Sequence, residues 1–139
     1  VWGKKLLKLA AFLQFTLPGA PCIYYGDEAG MTGYRDPFNR AFYPWGEEDT
    51  ELQTFYRSLA YLKRSSPALR RGRVEVVAAA NGRVQFLRQS EEQTVMVFSN
   101  ASHEPWTVHY AGRLLLGGNL RAYAPDSVTL DENGFCVMA

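Results

Sequence analysis

The chain holds 139 residues, 47% of them hydrophobic and 21% charged, and 15 Lys and Arg against 14 Asp and Glu leave a net charge of +1. That length fits about one domain, and the apolar share excludes global disorder. A near-neutral balance carries no electrostatic footprint for nucleic acid or an anionic membrane surface, so neither partner is expected.

The chain starts at Val1 without Met, and an apolar helical spacing is already running at Trp2 with no capping residue ahead of it. This reads as the tail of a longer protein. From Trp2 to Leu17, Leu6, Leu7, Ala10, Leu13 and Leu17 recur at helical spacing, with Lys4, Lys5 and Lys8 on a polar side. Leu9, Phe12 and Phe15 widen the stripe, so most of this helix is expected to be covered. Lys8, Gln14 and Thr16 interrupt the stretch Leu6 to Leu17, which is too short to span a bilayer. Pro18-Gly19 ends the helix.

Pro21 to Gly26 is a short apolar run without alternation, the pattern of a strand buried on both faces. Asp27 to Thr50 is a long loop, rich in Gly and acidic residues and carrying Tyr34, Phe38, Phe42, Tyr43 and Trp45. A loop of this length in a compact protein is usually functional. Glu51 to Ser65 predicts an amphipathic helix with the stripe Leu52, Phe55, Tyr56, Leu59 and Leu62, Thr50 as N-cap and Pro67 as its stop. Acidic residues lead it and Lys63 and Arg64 close it, in accord with the helix dipole.

After Gly72 the pattern changes, with a boundary near Arg71–Arg73. Short strand-like runs follow at 74–79, 84–88, 94–99, 106–110, 113–116, 122–124, 127–130 and 135–138. Asn81-Gly82, Asn100-Ala101, Gly117-Gly118-Asn119 and Asn133-Gly134 punctuate them as turns. Such spacing predicts an antiparallel sandwich.

Cleavage of a glycosidic bond uses two carboxylates about 5–10 Å apart, facing across the bond. Asp27, Glu28 and Asp36 are the candidates. Asp27 and Glu28 are adjacent and point to opposite sides of an extended chain, which favours loop capping over paired chemistry. Asp36, Asn39 and Arg40 form a polar group bracketed by Tyr34, Phe38, Tyr43 and Trp45. Asp and Arg beside aromatic faces can hold sugar hydroxyls and stack on pyranose rings. The same two charges can also form an internal ion pair that ties the loop, and the two readings are compatible. His103 and His109 lack partners at metal-ligand spacing, so no metal site is evident. Cys22 and Cys136 are expected as two free, buried thiols. Arg70, Arg71 and Arg73 read as a solvated linker, and Trp106 as core more than as a sugar platform.

Gln14 through Met31, centred on Pro21-Cys22-Ile23-Tyr24-Tyr25-Gly26-Asp27-Glu28, closely resembles the last barrel strand of the α-amylase family, glycoside hydrolase family 13. Asp36-Pro37-Phe38-Asn39-Arg40 and Pro44-Trp45-Gly46 resemble its neopullulanase, cyclomaltodextrinase and maltogenic amylase branch. Ser66 to Gly72 resembles that family's link to its C-terminal sandwich. Beyond Gly72 the likeness rests mainly on strand pattern.

The resemblance implies an α+β fragment: the tail of a (β/α)8 TIM barrel (helix, last strand, loop, last helix) over 1–72, then an antiparallel β-sandwich over 73–139. Trp2–Leu17 would be the seventh barrel helix, Cys22–Gly26 the eighth strand and Glu51–Ser65 the eighth helix. The family cleaves α-1,4 or α-1,6 glucosidic bonds with retention, through an Asp nucleophile, a Glu acid/base and a second Asp. Nothing in this chain matches those motifs, so the piece alone is expected to be inactive, its partner an α-glucan or maltooligosaccharide met through the parent enzyme. Asp36 and Arg40 match the pair that hydrogen-bonds glucose on the non-reducing side of the cleavage point, and Trp45 sits in the loop shaping that side. Where many relatives have a Met-Pro-Trp-Asp run, this chain has Tyr43-Pro44-Trp45-Gly46. No cofactor is implied, the family's calcium sites usually lie upstream, and the branch favours the cytoplasm. Apolar surfaces meant for missing barrel elements imply self-association. The rival readings are a non-catalytic glucan-binding sandwich and a regulatory or oligomerisation domain. The first asks for a row of exposed aromatics along one strand, and Phe86, Phe98, Trp106, Tyr110, Tyr123 and Phe135 make no such row.

Overall fold

The computed structural model describes residues 2–139; Val1, on which the reading of a truncated start rests, lies outside them. Helix α1 runs Trp2–Thr16, α2 Thr50–Ser65 and α3 Pro67–Arg71. The strands are β1 Arg73–Ala80, β2 Arg83–Gln89, β3 Thr94–Asn100, β4 Trp106–His109, β5 Leu114–Ala124 and β6 Ser127–Met138. The apolar spacing of the first half thus produces both expected helices. The N-cap of α2 is Asp49 rather than Thr50: its carboxylate accepts the Leu52 amide at 3.0 Å. Lys4 holds the same carboxylate at 2.7 Å and Glu51 at 2.6 Å, and Lys8 pairs with Glu51 as well, so the lysine side of α1 is seated on the start of α2. Pro67 ends α2 and opens α3, whose cap is the Ser66 hydroxyl on the Leu69 amide at 3.2 Å.

The predicted strand at 21–26 is not formed. These residues belong to no helix or strand, and Cys22, Ile23, Tyr24 and Tyr25 are exposed. A two-face-buried strand exists only through neighbours that pair with it and helices that cover it, and among the described residues nothing pairs with this run. Cys22 therefore stands exposed, against the expected burial, while Cys136 is buried. Burial pushes the Cys136 thiol up to about 12, leaving it an inert packing group.

All strand pairing is antiparallel, in one sheet ordered β1-β2-β3-β6-β4, with β5 on the other side of β6. The expected eight runs become six strands, because two of the predicted turns are irregularities inside long strands. Asn119 and Asn133 take positive φ of 49° and 58° within β5 and β6, where the pairing register shifts between Gly118 and Leu120. The left-handed conformation that marks a turn also serves a bulge. Asn81-Gly82 is the tight hairpin its sequence predicts, with both φ positive.

Both faces of the central strands are apolar. Val95, Val97, Phe135 and Val137 face the helices and join Leu9, Phe12, Phe15, Tyr56, Leu59 and Leu69 in one core. The alternate residues Met96, Phe98, Cys136 and Met138 join Val108, Val128 and Leu130 in a second core on the other face. Register enforces this sorting: Val97 lies opposite Val137, and Phe98 opposite Cys136. Trp106 packs into the second core edge-on to Phe98, 6.0 Å between ring centroids.

Candidate functional site

The polypeptide between α1 and α2 carries the candidate residues. Gly26 and Gly30, at φ of 94° and 75°, bracket a short 3-10 turn over Asp27–Ala29. A Cβ on Gly26 would sit 2.3 Å from the Met31 sulfur, so only glycine fits the start of this turn. Glu28 folds back and accepts the Gly26 amide at 3.0 Å, which makes it the loop cap its sequence position suggested. Asp27 instead lines a recess of about 350 Å³ with Tyr24, Tyr25, Met31, Thr32, Asn39 and others. Partial burial, then the charge of Glu28, hold the Asp27 carboxyl above its ordinary value. Beneath it the buried Tyr56 phenol is pushed up to about 12, by burial first and then by Asp27 and Glu28.

An acid whose folded-state pKa is raised favours folding only while protonated; that contribution is present below its unfolded pKa and is lost as pH rises through the folded value. D27N is therefore expected to be more stable than the parent chain at neutral pH, with the gap closing as pH falls towards the ordinary Asp value of 3.8 and gone below it. Thermal midpoints of both chains from neutral pH to pH 3 check this, and a D27N midpoint below the parent's at neutral pH would refute it.

Asp36 and Arg40 are together, as the sequence proposed. Arg40 Nε donates to Asp36 Oδ1 at 2.6 Å across one turn, and both side chains are well exposed, at 60% and 70%. One oxygen of the carboxylate and the other guanidinium nitrogens remain for a ligand. Trp45 is 82% exposed and lies 4.6 Å, centroid to centroid, from the ring of Tyr43, on a turn closed by Glu47 N to Pro44 O. Gly46, at φ 83°, completes that turn, and its amide donates to Glu48. Tyr34, Phe38 and Phe42 are also exposed, Phe42 almost fully. The loop thus shows one ion pair and several aromatic faces to solvent.

Two positioning features escaped the sequence. The Tyr25 hydroxyl donates to the Ala41 carbonyl at 3.0 Å, tethering the far arm of the loop to the segment that follows α1. Asn39 lines the same recess, and its Oδ1 is buried without a protein hydrogen bond. A tyrosine pair next to a glycine turn gave no signal of either. His103 is exposed and paired with Glu132 at 2.7 Å, and His109 is exposed on β4, so neither enters the site. Arg70, Arg71 and Arg73 are exposed as expected.

Comparison with known proteins gives one consistent answer. The family profile described as alpha amylase, catalytic domain, matches residues 1–101, running past Gly72 through β3. An amylopullulanase of Thermoanaerobacter thermohydrosulfuricus is 51% identical over 80 residues, 58% of this chain and 5% of that protein. A cyclomaltodextrinase of Geobacillus thermopakistaniensis is 36% identical, with 96% of this chain and 25% of that protein covered. Among solved structures, a cyclic α-maltosyl-(1→6)-maltose hydrolase from Arthrobacter globiformis superposes with a TM-score of 0.78 at 32% identity, covering 97% of this chain and 30% of the other. The chain therefore spans a twentieth to about a third of the proteins it resembles.

Proposed function

The chain belongs to the α-amylase family, and from that premise we propose that it is the C-terminal part of a retaining α-glucan hydrolase or transglycosidase acting on α-1,4 or α-1,6 glucosidic bonds. Residues 1–72 are the end of its catalytic barrel and 73–139 its C-terminal sandwich. The piece supplies a substrate-binding loop and no catalytic carboxylate, so alone it is inactive. The observation that carries this reading is the exposed Asp36–Arg40 pair on the loop that also exposes Trp45. A pyranose ring has a polar rim and apolar C–H faces. The carboxylate accepts from its hydroxyls, the guanidinium donates to them, and the indole covers a face. The ion pair fixes both groups before the sugar arrives, which lowers the ordering cost of binding. Asp27 and Glu28 do not act as an acid/base pair: Glu28 is committed to its own turn.

Maltoheptaose titrated into the chain, followed by tryptophan fluorescence, tests the loop. D36A is expected to weaken binding about tenfold or more, through loss of a charged hydrogen-bond partner. W106A is expected to leave the affinity unchanged, because Trp106 packs against the second core. The reverse pattern would favour the glucan-binding sandwich. The reading frame upstream of the Val1 codon tests the wider reading: an Asn-His-Asp run, with Asp and Glu further upstream, supports it, and a start codon directly ahead of Val1 contradicts it. The exposed Leu6, Leu17, Ile23, Tyr24 and Tyr25 support self-association of the isolated piece, which a monomeric elution in size-exclusion chromatography would refute.

A further inference from the structure

A second concave surface shares no residue with the loop. Helix α2 and the start of β5 enclose a groove of about 880 Å³, lined among others by Arg57, Tyr61, Gln93 and Arg113 over a floor of Leu62 and Leu114–Leu116. No Asp or Glu is among its lining residues. Among the described residues, neither guanidinium takes part in an ion pair or side-chain hydrogen bond. Gln93 is fixed in orientation, because its Oε1 accepts from the Ser66 hydroxyl at 2.6 Å and from the Ala68 amide at 3.4 Å. Its NH2 group is thereby left as a donor. Three hydroxyls on the same wall have their protons committed to their own helix: Thr54 to Thr50 O, Ser58 to Thr54 O and Ser65 to Leu62 O. They offer lone pairs only. Tyr61, 66% exposed, adds an open aromatic face.

This is a complementary set for one chemistry. Two uncompensated guanidiniums call for an anion, and a phosphomonoester takes two such forks through its oxygens. Acceptor hydroxyls and an aromatic face call for a hydroxyl-bearing ring, which an inorganic ion does not provide. We propose that the α2–β5 groove binds a phosphorylated saccharide, with the ester between Arg57 and Arg113 and the ring against Tyr61. This does not depend on the function assigned to the loop, since no residue is shared.

Isothermal titration of the full chain with glucose 6-phosphate, inorganic phosphate and glucose tests it. Glucose 6-phosphate is expected to bind about tenfold more tightly than either of the other two. R57Q and R113Q are each expected to weaken it by about fivefold or more. Y61A is expected to weaken the sugar ester and leave inorganic phosphate unchanged. All three side chains are exposed, so the variants keep the fold, which circular dichroism verifies. No binding of glucose 6-phosphate, or binding indifferent to both arginine variants, overturns the proposal. Equal affinity for inorganic phosphate overturns its saccharide half.

Discussion

Replacing Arg88 with methionine is expected to lower the unfolding free energy by about 3 kcal/mol or more, among the largest effects of any single change in this chain. Arg88 is 1% exposed although it carries a full charge. Its Nη1 donates to the carbonyl of Thr16, and its Nη2 donates to Leu69 at 3.2 Å and Gly72 at 2.8 Å. Thr16 is the last residue of α1, and Leu69 and Gly72 lie at the end of α3. A helix C-terminus has carbonyls without intrahelical partners and carries partial negative charge. One guanidinium thus satisfies acceptors from two helix ends and finds its counter-charge in their dipoles. Methionine preserves most of the volume but leaves three acceptors unmet, each costing about 1–3 kcal/mol where water cannot reach. R88K retains the charge with a shorter reach and is expected to fall between the two. Urea unfolding followed by circular dichroism measures the series. A methionine variant as stable as the parent would mean that the carbonyls find water, and that the bridge adds nothing.

Phe135→Ala is expected to cost about 3–5 kcal/mol. The ring is fully buried, stacked on Phe12 at 4.5 Å and near Phe55 at 5.7 Å, so it joins α1 and α2 to the central strand. It also lies over Gly118, where an added Cβ would approach its ring to 2.4 Å. The site is filled from every side and has little freedom to collapse, which puts the truncation at the upper end of the cavity series. Thermal unfolding checks the magnitude. G118A, which crowds the same ring, should destabilise by overpacking. A loss below 1 kcal/mol for F135A would show that the helices close over the gap.

The sequence made the helices legible because each carries a stripe at one period. The spacing of Leu52, Tyr56, Leu59 and Leu62 has one good solution, and these are the buried residues of α2. The Asp36–Arg40 pair was legible because its partners are four residues apart, within reach of a local turn. What failed depended on partners remote in the chain. The run at 21–26 has the composition of a covered strand but, among the described residues, no strand to pair with. Arg88 sits at the end of a strand-like run and nothing local marks it; only the convergence of Thr16, Leu69 and Gly72 on its tip explains its burial. The asparagine and glycine signals at 117–119 and 133–134 were right about backbone conformation and wrong about its use, since a bulge and a turn ask for the same φ.

The order of the sheet bears on how the chain is made. Strand β6 follows all the others, yet it lies between β5 on one edge and β3 and β4 on the other, and it contributes Phe135 and Val137 to one core and Cys136 and Met138 to the other. As synthesis proceeds from the amino end, β1, β2 and β3 can form a meander early and set one face against the helices that precede it, but its inner edge stays unpaired and its other face, with Met96 and Phe98, stays wet until the later strands leave the ribosome. Assembly of this half is therefore late, non-local and cooperative. Met96 and Phe98 are in that interval the surface that a chaperone would have to shield.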